Sequence, residues 1–462
     1  VFKTGLALES PDPDFNGSFR GFKPGSIPHS IRKETSMAGS CSNPKWSTCF
    51  LLLSLLMTAL CQTSASVAAA APQFEQPTNR KASDVLPPQL LSGPHYRVRD
   101  NVGSYGYMNH YGVNSDFGAF EVTGDFALRK LIREIGAIAA LRNFKKSDAY
   151  LNGLKKAASQ PVEFGTNLIN DPVDTMSAVP KGIAGLFENV KTGLTTKASP
   201  AEDSKVEQAL AVSSNKRNLA AQLGVDVYSS NSVLQKELNS MAWATTLGSL
   251  TLSAALAPVG GPAVAAVSVT RTAQQVTDVL KDYPPQRLRK MNEQKLMNMG
   301  VPAGLTAQFL DHQSYTPTHQ TVIVNALEAL PGTKGRNAFI QQALSANDEE
   351  TANFFMNVAE TMRGYQAKAS PIRQISVYGP LVFAKAASGI VLIPLPLDYA
   401  IWTERAGQRV PAAMSAYKAS NPDSKKFETW VTGTVSKRAK EELAKLGIQV
   451  VERVDKRIEF IF

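Results

Sequence analysis

The sequence predicts an α+β fold, predominantly α-helical, and three observations carry that expectation. Aromatic residues and glycines crowd into short alternating runs at 96–123, three-four apolar periodicity fills the middle of the chain, and β-type alternation returns beyond Pro371. The expected layout is a small aromatic β piece at the start of the mature body, a long helical middle and a small C-terminal α/β piece. With 43% hydrophobic and 19% charged residues among 462, the chain is neither wholly disordered nor collagen-like.

Residues 1–36 mix Gly, Pro and Ser with scattered charges, show no apolar period, and read as a non-structural upstream extension. From Met37 a short polar stretch holding Lys45 leads into an apolar run at 49–60 and an alanine-rich stretch at 64–71. That is the three-part pattern of a secretory signal peptide over 37–71, with an apolar run shorter than the ~20 residues of a membrane span. Cys41, Cys49 and Cys61 all fall inside it, so the expected mature protein is cysteine-free. Beyond residue 71 the chain carries 43 Lys and Arg against 35 Asp and Glu, or +8, and no Asn-x-Ser/Thr sequon. An exported body without thiols or sequons points to a bacterial cell envelope, periplasmic or secreted, with membrane association open.

Five prolines without a helical period at 72–95 predict a Pro-rich linker. The helix-rich body is expected over 96–370 and opens with β hairpins at 96–123. From Asp125, expected as a cap, Leu128, Leu131, Ile132, Ile135, Ile138 and Ala139 form an amphipathic stripe, with Arg129, Lys130 and Arg133 opposite. Further helices are expected near 181–192, 204–223, 231–257, 263–282, 286–299, 303–311, 318–330 and 336–345. Another follows a cap and three acids at 347–350, with Phe354, Phe355, Val358, Met362 and Tyr365 as its buried stripe. The C-terminal α/β region is expected over 371–462, with strands at 375–377, 389–393, 448–454 and 458–462 and a helix at 436–446.

Residues 238–270 contain no charge. Pro258, Gly260, Gly261 and Pro262 break the stretch, so it fails as a single span and reads as a helical hairpin buried in the core. The alternative is a membrane-active hairpin that inserts at a lipid surface.

Assembled catalytic motifs are missing. There is no HExxH and no G-x-S-x-G, and the Ser-x-x-Lys at Ser213 and Lys216 lacks the order of motifs that penicillin-recognising enzymes need. Asp311, His312 and His319 are the weak candidates for a hydrolase with a non-standard acid/base site. No metal site and no cofactor is expected. The binding candidates are Tyr96, Tyr105, Tyr107, His110 and Tyr111 in the aromatic patch, and Asp398, Tyr399 and Trp402 in a proline-rich loop. The expected function is therefore that of a non-enzymatic binding protein. Its partners within reach are anionic lipid, an envelope polymer or another envelope protein, and nucleic acid is not expected.

Overall fold

Short β-forming runs punctuated by glycines build an antiparallel sheet in the computed structural model, which describes residues 74–104, 107–148, 150–152, 200–248 and 271–461. The chain is α+β. The first sheet holds β1 (Arg80–Lys81), β2 (Ser92–Gly93), β3 (Tyr96–Val98), β4 (Asn101–Ser104), β5 (Asn109–Ser115) and β6 (Gly118–Thr123). Along one edge of β5 lie β3 and β4, and β6 lies along the other; β1 extends β4 and β2 extends β3.

The expected linker is a correction. Residues 74–95 supply β1, β2 and two single-turn helices, α1 (Ala82–Val85) and α2 (Pro88–Leu91). Pro88 sits at the first helical position, where a missing N–H costs nothing. Pro87 and Pro88 mark a helix start here, so the density of prolines misled. Glu75 also anchors this segment: its N–H donates to the Trp402 carbonyl at 2.8 Å, and its carboxylate accepts from the Trp402 N–H at 2.6 Å and the Ser436 hydroxyl at 2.6 Å.

After Gly124, whose φ of +104° turns the chain sharply, α3 (Asp125–Lys145) runs across the sheet. Its first half buries Leu128, Leu131, Ile132 and Ile135 against Val98, Val102, Tyr111 and Val113. The second half buries Ile138, Leu141 and Phe144 against Leu219 of α4 (Pro200–Leu223) and Leu234, Leu238 and Met241 of α5 (Ser232–Gly248). Burying such side chains stabilises by about 1.5–3 kcal/mol each. The described part of the charge-free stretch, within α5, is thus core, and residues 249–270 lie outside the described residues. No described helix is long and apolar enough to cross a membrane. The signal peptide, the extension before it and the helix expected at 181–192 also lie outside the described residues.

Six helices follow: α6 (Arg271–Asp282), α7 (Pro285–Asn298), α8 (Ala303–Leu310), α9 (Pro317–Glu328), α10 (Arg336–Ala343) and α11 (Glu349–Lys368). Asp348 caps α11 by accepting the Thr351 N–H at 2.7 Å. The expected stripe of α11 is buried at Phe355, Val358, Met362 and Tyr365.

The second sheet runs in the order β13 (Ile448–Val451), β11 (Lys426–Val431), β9 (Ile390–Leu395), β8 (Leu381–Ala386), β7 (Ile372–Tyr378). Its β7–β8–β9 part is antiparallel, while β9, β11 and β13 are parallel. The parallel strands are connected by α12 (Glu404–Ser420) and α13 (Lys437–Lys445). Alternation sorts the side chains: Phe383, Val391, Ile393 and Phe427 face α12 and α13, whereas Val382, Leu392 and Trp430 join the core shared with α11. Near-continuous apolar runs in these strands follow from burial on both faces. A short parallel pair, β10 (Tyr399–Ala400) and β12 (Thr434–Val435), closes the region. One core spans residue 370, because Val276 and Ile458 belong to the same cluster.

Two further expectations need correction. Residues 457–461 form no strand: a 3-10 turn at Val454–Lys456 ends the regular structure, Ile458 packs against Gly364, and Phe460 meets Phe126 with ring centroids 4.6 Å apart. Asp125 does not cap α3. Gly124 holds that position, and the Asp125 carboxylate is engaged elsewhere.

Candidate functional site

The two aromatic segments meet, through backbone rather than through an open cleft. Where the chain leaves β9, the Asp398 and Tyr399 N–H groups both donate to the Tyr107 carbonyl, at 3.0 and 3.1 Å. The Asp398 carboxylate in turn accepts from the Asn109 N–H at 2.9 Å and the Asp125 N–H at 3.1 Å. Asp125 accepts from the Tyr111 hydroxyl at 2.6 Å and the Asn109 amide at 2.8 Å. Arg80 donates to Asn109 and lies 4.2 Å from the Tyr399 ring centroid. Burial pushes the Asp398 carboxyl up to about 8, helped by the Asp125 charge and opposed by the two N–H donors. Burial and then Asp125 also raise the Tyr111 hydroxyl. Asp398, Asp125, Asn109 and Tyr111 all find hydrogen-bond partners within the cluster, which makes it a brace between the first sheet and the C-terminal region.

The remaining binding candidates are scattered. Tyr96 donates to the Gln89 carbonyl at 3.3 Å, Tyr107 pairs with the Thr403 hydroxyl at 3.2 Å, and His110 contacts Thr123 at 3.1 Å and Glu121 at 3.4 Å. Trp402 is buried. Tyr105 lies outside the described residues. The structure therefore brings Tyr107, Tyr111, Asp398 and Tyr399 together and leaves Tyr96 and His110 on separate parts of the sheet.

A cleft does open nearby, between β6, the first turns of α3, the loop at 229–232 and the start of α11. It measures about 360 Å³ and is lined by Phe120, Val122, Leu131 and Ala127 on its apolar side and by Lys130, Glu134, Glu349, Glu350 and Asn353 on its polar side. A narrower pocket continues from it past Thr318, His319 and Met356. Lys130 donates to Asp226 at 3.2 Å and lies 3.9 Å from Glu349. Burial works to lower the Lys130 ammonium, yet Asp226, Glu134 and Glu349 outweigh it and hold Lys130 above its ordinary value. Burial likewise works to raise Asp226, and Lys130 with the Thr318 hydroxyl at 2.6 Å holds it below the usual range instead. Glu134 accepts from Ser229 at 2.6 Å and Asn231 at 3.0 Å, but burial leaves it raised. Glu350 is raised by burial and by Asp348.

The three acid/base candidates do not form a unit. Asp311 is exposed and pairs with Arg289 at 2.7 Å. His312 bonds the Leu344 carbonyl at 3.1 Å and accepts from the Ser314 N–H. His319 closes a capping box: its Nδ1 accepts the Thr316 N–H at 3.1 Å, which leaves Nε2–H to donate to Asn353 at 3.0 Å. Burial lowers its pKa, so the ring is held neutral with both nitrogens occupied. That is a structural histidine, and the pattern of a hydrolytic base is missing.

The basic residues of α3 also differ from a solvated face. Arg142 and Lys145 both donate to buried Glu237, at 2.9 and 2.6 Å, and Lys130 is held by Asp226. Sequence reading missed Lys130, Glu134, Asp226, Glu349 and Glu350 as partners. Glu349 and Glu350 were legible only as helix-start acids, and nothing marked Asp226. Among the described residues no group of three or more His, Cys, Asp or Glu could hold a metal ion. The chain matches no protein-family model, no curated protein and no solved structure.

Proposed function

We propose that the chain is a non-enzymatic binding protein of the bacterial envelope, exported through the leader at 37–71, whose cleft takes a basic group from another envelope protein. One observation carries the reading: the cleft of about 360 Å³ gathers Glu134, Glu349 and Glu350 around a single lysine that Asp226 already claims. An ammonium or guanidinium entering there meets three carboxyl groups that share one lysine, and its aliphatic stem meets Phe120 and Leu131. The +8 of the body would hold the protein near anionic lipid or polymer, while the cleft selects a cation. The finer layout, predominantly α-helical with small β and α/β pieces at the two ends, belongs to the same proposal.

Two experiments test it. Calorimetric titration with an Arg- and Lys-containing tetrapeptide should give binding that its Glu-containing counterpart does not; equal response to both would overturn the reading. Fusion of residues 1–100 to a periplasm-dependent reporter enzyme in a bacterial host should give reporter activity, and a cytoplasmic, inactive fusion would remove the export claim.

A further inference from the structure

A second cavity, separate from that cleft, lies between α4, the loop at 227–229 and the start of α9. It measures about 310 Å³ and is lined by Ser213, Lys216, Arg217, Tyr228, Gln235 and Thr316 among others, none of them acidic. Ser213 and Lys216 belong to the Ser-x-x-Lys spacing noted in the sequence, which on a helix sets both on one face. The cavity has unspent chemistry. Among the described residues Lys216 has neither a carboxylate nor a carbonyl partner, and the buried Tyr228 hydroxyl has no hydrogen-bond partner. Arg217 is oriented by donating to the Lys281 carbonyl at 2.9 Å and the Ser213 hydroxyl at 2.8 Å. Asp226, on the loop that leads to Tyr228, is taken by Lys130 and Thr318.

We propose that this cavity is a reactive-lysine site for small anionic carbonyl compounds, with Arg217 holding the carboxylate or phosphate and Lys216 condensing with the aldehyde or ketone. The neutral amine of Lys216 attacks the carbonyl carbon, the C=O bond breaks, and its oxygen leaves as water with the two amine protons as the C=N bond forms. Tyr228 lines the same cavity and its hydroxyl has no hydrogen-bond partner, which makes it the donor to the departing oxygen in this proposal. Burial supports the step by lowering the Lys216 ammonium to about 8, so about a tenth of the side chain is neutral at pH 7. Ser213 is the weaker nucleophile of the pair, because no base among the described residues is hydrogen-bonded to it; its oxygen already accepts from Arg217.

The test uses the full chain and pyridoxal 5′-phosphate as an anionic aldehyde, trapped with borohydride and mapped by peptide mass spectrometry. Lys216 should be labelled at least tenfold faster than exposed lysines such as Lys445, and pyridoxal without its phosphate should lose most of that preference. Lys216→Arg should abolish the fast label while leaving circular dichroism and thermal unfolding unchanged. Tyr228→Phe should slow it several-fold with the fold intact. Labelling of Lys216 no faster than Lys445, or equal preference with and without the phosphate, would overturn the proposal.

Discussion

Replacing Asp398 with Asn tests the brace that joins the first sheet to the C-terminal region. In the folded protein the Asp398 carboxyl titrates at about 8, against 3.8 when it is free, because it is buried beside Asp125. A carboxyl raised on folding stabilises fully below its unfolded pKa and loses that contribution as pH rises through the folded one. Between pH 5 and 7 the folded group keeps a proton that the unfolded group has lost. The linkage slope is then about 1.4 kcal/mol per pH unit, or roughly 2–3 kcal/mol across the interval. Asn keeps an acceptor oxygen for the Asn109 and Asp125 N–H groups, which both reach one carboxylate oxygen, and it carries no titrating proton. Urea unfolding followed by tryptophan fluorescence should therefore show wild type losing that amount relative to Asp398→Asn between pH 5 and pH 7. Asp398→Ala should be worse than either at every pH, since it orphans two buried donors at about 1–3 kcal/mol each. Parallel pH profiles for wild type and the Asn variant would refute the reasoning.

Glu237 behaves in the opposite sense. Burial would raise it, but Lys145 and Arg142 hold it below its ordinary value, so its contribution is present above about pH 4.5 and is lost as pH falls through the folded pKa. Glu237→Gln should cost about 1–2 kcal/mol at pH 7, a figure kept low because Arg142 is 42% exposed, and the gap from wild type should narrow in urea titrations as pH falls below about 4.5. Gly433→Ala should cost at least about 1–3 kcal/mol in the same assay, because a Cβ there would run into the Asp398 carbonyl and force the backbone apart.

Much of the fold was legible because local pattern and burial agreed. Around the start of α11 the acids at 348–350 and the stripe from Phe355 to Tyr365 announced both start and inner face. The stripe of α3 was equally plain, but nothing on its opposite face announced the partners of Lys130, Arg142 and Lys145, because Asp226 and Glu237 lie more than 90 residues away. No local signal encodes such a pairing. Pro411 concealed α12, which carries that proline inside the helix. The linker reading failed because prolines at 87 and 88 serve a helix start, while Glu75 finds its partners more than 300 residues later. Asp398 and Tyr399 were singled out for composition alone, and the structure gives them a bracing role beside Tyr107 and Tyr111. The cleft was invisible because its carboxylates come from α3 and α11 separately.

The most direct test of the binding proposal is a titration of the basic tetrapeptide at low ionic strength into three proteins: wild type, Glu350→Lys in the cleft, and Glu328→Lys, whose partner is Lys295 on another surface. Binding should weaken at least tenfold in Glu350→Lys and stay within twofold of wild type in Glu328→Lys. Unchanged affinity in Glu350→Lys, or equal loss in both variants, would contradict the account.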